Sequence, residues 1–286
     1  MTIPISITFI VVNFGRLCRN KMYRVKLFFL IFLITIFSLS ASTFDNVKRW
    51  IIVIDAGHGG NDHGAIGSSS SEKDITLAVA LKVGEYIKEN ISNVTVIYTR
   101  ESDIFVDLRE RANIANKNKA DLFISIHVNS TNSKNAIGTE TFVMGLTKDK
   151  ENLEVAMKEN EVIFLEKDYS TKYEGFDPKL PESFITFTLT QNIFKDQSID
   201  LASKIQTQYK DRISRFDRGV KQAGFWVLFK TAMPSVLTEI GFISNPSEEK
   251  YLNSLQGQDY ISSAIFRACR DYIKEIDSKD GLTKKN

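Results

Sequence analysis

Five consecutive apolar residues, Trp50-Ile-Ile-Val-Ile54, run between Arg49 and Asp55 and stop at the glycine-rich turn Ala56-Gly-His-Gly-Gly60. A run with no polar alternation reads as a strand buried on both faces, and such a strand needs helices above and below it. The rest of the chain supplies them in alternation. Residues 74–90 have helical period, and 93–99 are β-branched and strand-like. Residues 106–119 read as a charged helix, then 121–127 and 138–144 as two further buried strands. Residues 222–229 and 235–240 are the last strand candidates, and 259–276 read as a closing amphipathic helix. The expected fold class is α/β: a single domain over 49–276 with a central, mostly parallel sheet flanked by helices. The polar tail, 277–286, is expected to fray.

Residues 148–214 break this rhythm. A charged helical pattern over 149–167 is followed by a turn-rich patch with Gly175, Pro178 and Pro181, then by a long helical stretch over about 183–215. This is a helical insertion before the last core strand. A segment of that length is either a buttress or a lid.

Composition narrows the function classes. The chain is 43% hydrophobic and 25% charged, which excludes a disordered or collagen-like chain. Two cysteines exclude a disulfide-dense scaffold and a Cys-rich zinc module. The formal charge of +2 hides an asymmetry, because residues 1–42 carry five basic residues and no acid. The remainder holds 32 basic and 35 acidic residues, so no basic face for nucleic acid is implied.

The asymmetric segment reads as an address. Lys21, Arg24 and Lys26 precede the apolar run 27–40, and small residues follow. This is the pattern of a secretory signal peptide over 1–42, with Met22 as an alternative start. The run is short for a membrane span, which needs about 20 apolar residues. An uncleaved anchor would be the only membrane contact. The expected location is outside the cytoplasm, in the periplasm or cell envelope.

Three strand ends carry chemistry. His58 follows the first strand, His127 ends the strand Phe123-Ile-Ser-Ile-His127, and Glu239 ends Val236-Leu-Thr-Glu239. In open α/β sheets ligands gather outside the carboxyl ends of strands. Glu72 precedes a helix and can project back to the same edge. Two imidazoles and a carboxylate form a known catalytic zinc set with an open position for water. A second carboxylate must then move protons. Glu72 and Glu239 are available for these two tasks, and spacing alone does not assign them. The turn has neither GxGxxG nor a Walker lysine, so it does not read as a nucleotide site.

The runs IVIDAGHGGNDHGAIG, Glu72-Lys-Asp, TRESD, LRERANIAN, DLFISIHVNS and TEIGFISNPSEEKYL resemble those of the zinc-dependent N-acetylmuramoyl-L-alanine amidases of the amidase_3 type. The resemblance spans about 49–276. It implies a single α/β catalytic domain acting on peptidoglycan, where it cuts the amide between N-acetylmuramic acid and L-alanine during wall remodelling and daughter-cell separation. It implies one zinc ion per chain, held by His58, Glu72 and His127, with Glu239 as the catalytic carboxylate. Arg100 and Arg111 are expected in helix–strand salt bridges. His63 stands where the family usually has proline and is expected to be a loop residue.

The insertion also resembles the extra helical segment of division-associated members, in particular the Bacteroidetes type. In some of these a helix blocks the site and places a glutamate on the zinc until an activator protein removes it. Glu151, Glu154, Glu159, Glu161 and Glu166 lie in the corresponding region, and 149–167 is the expected lid. Two rival readings remain at this level: a zinc carboxypeptidase acting on stem peptides, and a non-catalytic wall-binding regulator. The first needs a cation for a terminal carboxylate, and the second would be favoured by loss of Glu239, which is present.

Overall fold

A computed structural model describes residues 48–147, 149–188 and 193–283. The expected signal peptide, 1–42, lies outside the described residues. From Arg49 onward the chain forms one compact unit. Its elements, in chain order, are β1 (Trp50–Ala56), α1 (Glu72–Asn90), β2 (Val94–Tyr98), α2 (Leu108–Lys117), β3 (Leu122–Asn129), β4 (Thr139–Met144), α3 (Lys150–Asn160), α4 (Lys195–Ile213), β5 (Asp217–Ala223), β6 (Ser235–Phe242), α5 (Pro246–Asn253) and α6 (Leu255–Thr283).

The six strands form one sheet in the order β2-β1-β3-β6-β4-β5. Strands β2, β1, β3 and β6 are mutually parallel. β4 pairs antiparallel to β6 and parallel to β5. The start of β4 therefore lies at the carboxyl edge of β6, and Glu140 faces Glu239 across that pair.

Strand alternation sorts the core into two layers. Ile52, Ile54, Ile124, Ile126, Val236 and Ile240 point to one face, where they pack with residues of α1, α4 and α6. Val53, Phe123, Phe142 and Leu237 point to the other, against α2 and a cluster with Phe225, Trp226, Tyr173 and Phe176. The cysteine left in this unit, Cys269, is buried in the first layer, and its thiol is pushed up to about 12 by burial.

The structure revises three expectations. Residues 222–229 are not one strand: β5 ends at Ala223, and Trp226–Phe229 form a helical turn. A short apolar run can be a buried helical turn as well as a strand, and here Trp226, Val227 and Leu228 are all buried. The helical stretch after Pro181 is also divided. Residues 181–188 form a 3-10 segment, and the α-helix begins at Lys195. Parallel strands need a crossover connection. α4 is part of the connection between β4 and β5, and its Leu201, Ala202, Ile205 and Tyr209 belong to the core. The segment before it adds Ala156, Ile163, Tyr173, Phe176 and Phe184 to the second layer. Finally, the tail does not fray at 277, because α6 continues to Thr283. Trp50 Nε1 donates to Asp277 at 3.0 Å, which ties this turn to the first strand.

Candidate metal centre

The turn after β1 places His58 in the left-handed region, at φ +61. A non-glycine residue there needs external support, and Arg111 of α2 supplies it. Its Nη2 donates to the His58 carbonyl at 2.8 Å, and its Nη1 donates to the Ala56 carbonyl and to Asp55. Asp55 also accepts from Thr99 and Ser125. Burial works against its charge, but the Arg111 guanidinium and these two hydroxyls hold the carboxyl below its ordinary value. Arg111 thus makes the expected helix–strand salt bridge. Arg100 instead directs its guanidinium to the carbonyls of Ala56, Gly57 and Lys73.

Glu72 opens α1, where an acid is favoured by the helix dipole. Its two oxygens accept from main-chain N–H groups on opposite sides, Val128 at 2.8 Å and Ala65 at 2.8 Å. Those bonds fix the carboxylate between the β1 turn and the end of β3. The backbone must come close here. A Cβ on Gly57 would sit 2.5 Å from His127 Cε1, and one on Gly64 would sit 2.7 Å from Glu72 Oε2.

His58, Glu72 and His127 converge as expected, and Glu159 joins them from α3. Each offers one ligand atom, and the four atoms lie within 4.8 Å of one another. Glu72 Oε1 is 3.1 Å from both His58 Nε2 and His127 Nδ1. Glu159 Oε2 is 3.1 Å from the first and 2.9 Å from the second. A tetrahedral zinc site with bonds near 2.0 Å has ligand–ligand edges of about 3.3 Å, so these spacings match. His58 Nε2 and Glu159 Oε2 are buried and have no hydrogen-bond partner among the described residues. Polar atoms in that condition cost free energy unless a ligand satisfies them. The donor set and these orphaned atoms fit a divalent ion of the zinc type.

The side chains of the cluster polarise one another. Burial opposes charge on His58, yet Glu72, Asp62 and Glu159 hold its pKa well above the ordinary value. His127 goes the same way, against burial, through Glu159 and Glu72. His58 Nδ1 lies 2.8 Å from Asp62, a carboxylate that orients the ring, as partners of metal-bound histidines do.

Glu239 lies beside His127 in the β3–β6 register and is fully buried. Both of its oxygens lack a hydrogen-bond partner among the described residues. Burial first, then the charges of Glu159, Glu72 and Glu140, push its pKa well above the usual carboxylate range.

The sequence profile of the N-acetylmuramoyl-L-alanine amidases matches residues 52–271. The chain belongs to that family. It is 31% identical over 236 residues to the amidase AmiA of Escherichia coli, covering 82% of this chain and 80% of AmiA. The N-acetylmuramoyl-L-alanine amidase of Clostridium difficile superposes with a TM-score of 0.60 at 26% identity, covering 79% of this chain and 97% of that one. The CwlD amidase of Clostridioides difficile, solved in complex with the GerS lipoprotein, superposes with a TM-score of 0.58 at 29% identity, covering 79% of this chain and 98% of that one. These relatives are amidases, and amide hydrolysis in peptidoglycan is the activity of this amidase.

Two site residues were not singled out from the sequence. Asp62 lies in Asn61-Asp-His63, where the neighbouring His63 drew attention; His63 is exposed. Glu140 lies within the expected strand 138–144. Its signal was an acid at the start of an otherwise uncharged buried strand, Thr139-Glu-Thr-Phe-Val-Met144.

Proposed function

We propose that this amidase works with one zinc ion held by His58, Glu72 and His127, and that Glu239 is its catalytic carboxylate. The observation that carries this reading is the pairing of a four-ligand cluster with a buried, unpartnered Glu239 beside it. When bound, the ion supplies Lewis acidity, which polarises a carbonyl and brings the pKa of water to about 7.

The chain's own residues do the rest. Glu72 is fixed by two main-chain donors and so presents its carboxylate without reorganisation. Asp62 and Arg111 fix the ring and backbone of His58. Glu239 accepts the proton of the attacking water and returns it to the departing amine of L-alanine, leaving a free stem peptide and the lactyl carboxylate of N-acetylmuramic acid.

We infer that 149–167 is a removable cover and that Glu159 stands where the substrate's oxygen and water would enter. α3 buries Asn152, Ala156, Glu159 and Asn160, and Ile163 just after it is buried in the second core layer. Asn160 bridges the Gly224 carbonyl and the Trp226 N–H, so the cover is held by specific polar contacts as well as by Glu159. A protein partner that binds the uncovered form shifts this equilibrium by its differential affinity. The complex of CwlD with a lipoprotein supports a protein partner for this fold. Peptidoglycan lies outside the cytoplasmic membrane, so the chain must be exported, and the basic–apolar segment 1–42 is the element proposed to direct it. Among the described residues no helix is long and apolar enough to cross a membrane.

The test is the product. Incubation with peptidoglycan should release intact stem peptides; release of single amino acids would indicate a carboxypeptidase instead.

A further inference from the structure

Beside the metal cluster, between the carboxyl edge of the sheet and α3, lies a cleft of about 720 Å³. Its floor is Asn129, Glu140, Arg218, Lys221 and Phe242, and Glu151 of α3 lines its other wall. Glu140 is buried and stands opposite Glu239 in the β4–β6 pair. One of its oxygens accepts from Asn129 Nδ2. The other accepts from Arg218 Nε and Lys221 Nζ. Two cations on one carboxylate leave the trio with one excess positive charge. The Arg218 guanidinium also lies over the Phe242 ring, 4.9 Å from its centroid, which holds it in place. Its Nη2 points toward Glu151, 3.9 Å away, although Glu151 is 80% exposed and free to go elsewhere.

α3 thus brings two carboxylates to the substrate side of the sheet. Glu159 reaches the metal ligands, and Glu151 comes within 3.9 Å of Arg218. Along a helix the interval from 151 to 159 is about 12 Å at ~1.5 Å per residue. That is the span of three to four extended residues at ~3.5 Å each. A stem peptide leaving the scissile amide presents acids within this range. Its L-alanine is followed by D-glutamate joined through the side-chain carboxyl, which leaves the main-chain carboxylate free. In diaminopimelate-type walls the third residue carries another.

We propose that Arg218 and Lys221, anchored by Glu140 beside Glu239, are the specificity subsite for a free carboxylate of the stem peptide, and that Glu151 occupies this subsite when α3 is docked. The proposal rests on the amidase reading and adds which part of the substrate is recognised. An arginine fork is suited to a carboxylate, and a buried counter-ion prevents the two cations from repelling each other apart. Once the carboxylate is bound, the L-alanine amine is held near Glu239.

The test is calorimetric binding of the product tripeptide L-Ala-γ-D-Glu-diaminopimelate to the zinc-loaded full chain and to Glu159→Gln. The same tripeptide is used amidated at the D-Glu carboxylate, or amidated at the third residue. The expected result is at least tenfold tighter binding of the acid than of one amidated form, and which form is weak identifies the carboxylate. Arg218→Gln and Lys221→Gln should each abolish that preference; the second serves if the first fails to fold. Glu151→Gln should tighten binding several-fold. Equal affinity for all three peptides, a preference that survives both cation substitutions, or no binding to either chain would overturn the proposal. Amide hydrolysis is scored separately as stem peptide released from glycan. An active enzyme without discrimination refutes the subsite alone, and a protein that discriminates while its folded, zinc-loaded 149–167 deletion releases no stem peptide refutes the catalytic reading alone.

Discussion

Glu140 and Glu239 face each other in the antiparallel pair of β4 and β6, both buried, and the fold treats them in opposite ways. Glu140 is bonded by Asn129, Arg218 and Lys221. Glu239 has no such partner among the described residues. Glu140 is thus neutralised by its donors, while burial first, and then the charges of Glu159 and Glu72, push the pKa of the unpartnered Glu239 up.

An unpartnered buried carboxylate is costly to the fold. Glu239→Gln should therefore lower the rate of stem-peptide release by about 10²–10⁴-fold without lowering the melting temperature. Scanning calorimetry beside the activity assay checks both. A melting temperature reduced by many degrees would show that Glu239 is structural.

Glu159 is an inhibitory contact on this account, although it completes the ligand set. Glu159→Gln should raise basal release, and deleting 149–167 should raise it further, provided each protein folds and retains zinc. A folded, zinc-loaded deletion with unchanged activity would make the segment a fixed buttress.

Metal removal should loosen the site as well as silence it. Glu72 and Glu159 are buried together with His58 and His127, and an ion satisfies the atoms that are otherwise orphaned. A ligand bound only by the folded state, present at about 100 times its Kd, stabilises by ~2.7 kcal/mol. Chelation should lower the melting temperature by several degrees and zinc should restore it. An unchanged transition would contradict the assignment.

Glu249 offers a test by pH away from the metal ligands. Its carboxylate accepts from the main-chain N–H groups of Ser68, Ser69 and Ser70 and from their hydroxyls, clamping the loop that leads into α1. Burial raises its pKa, but the Ser68 and Ser69 donors outweigh this and bring it down to about 2. A depressed folded value means stability that is present above the unfolded pKa of ~4.3 and lost as pH falls toward 2. Glu249→Gln should cost about 2 kcal/mol at neutral pH, and the gap from wild type should close on acidification through that window. Parallel melting curves from pH 7 to 2.5 would show it.

Much of the site was legible because three of its residues sit at ends of apolar strands. His58, His127 and Glu239 each follow a buried run, so periodicity alone brought them to one edge. The roles of Glu72 and Glu239 were not separable by spacing, because which acid meets the ion depends on the main-chain donors of Ala65 and Val128, a tertiary property. For the same reason sequence offered five acids over 151–166 without choosing Glu159. β5 was missed because its residues 217–222 are only half-buried and polar, while the adjacent Trp226–Phe229 run looked more like a strand. The role of Glu140 lies in its neighbours on β3 and β5, which no spacing along the chain displays.

The most direct measurement is mass spectrometry of purified peptidoglycan incubated with residues 43–286, with and without chelator, beside Glu239→Gln. The account predicts intact stem peptides released from glycan, lost with chelator and lost with Glu239→Gln, from the wild type or from its 149–167 deletion if the cover holds. A folded, zinc-loaded deletion that releases none, or release that persists in Glu239→Gln, would contradict it.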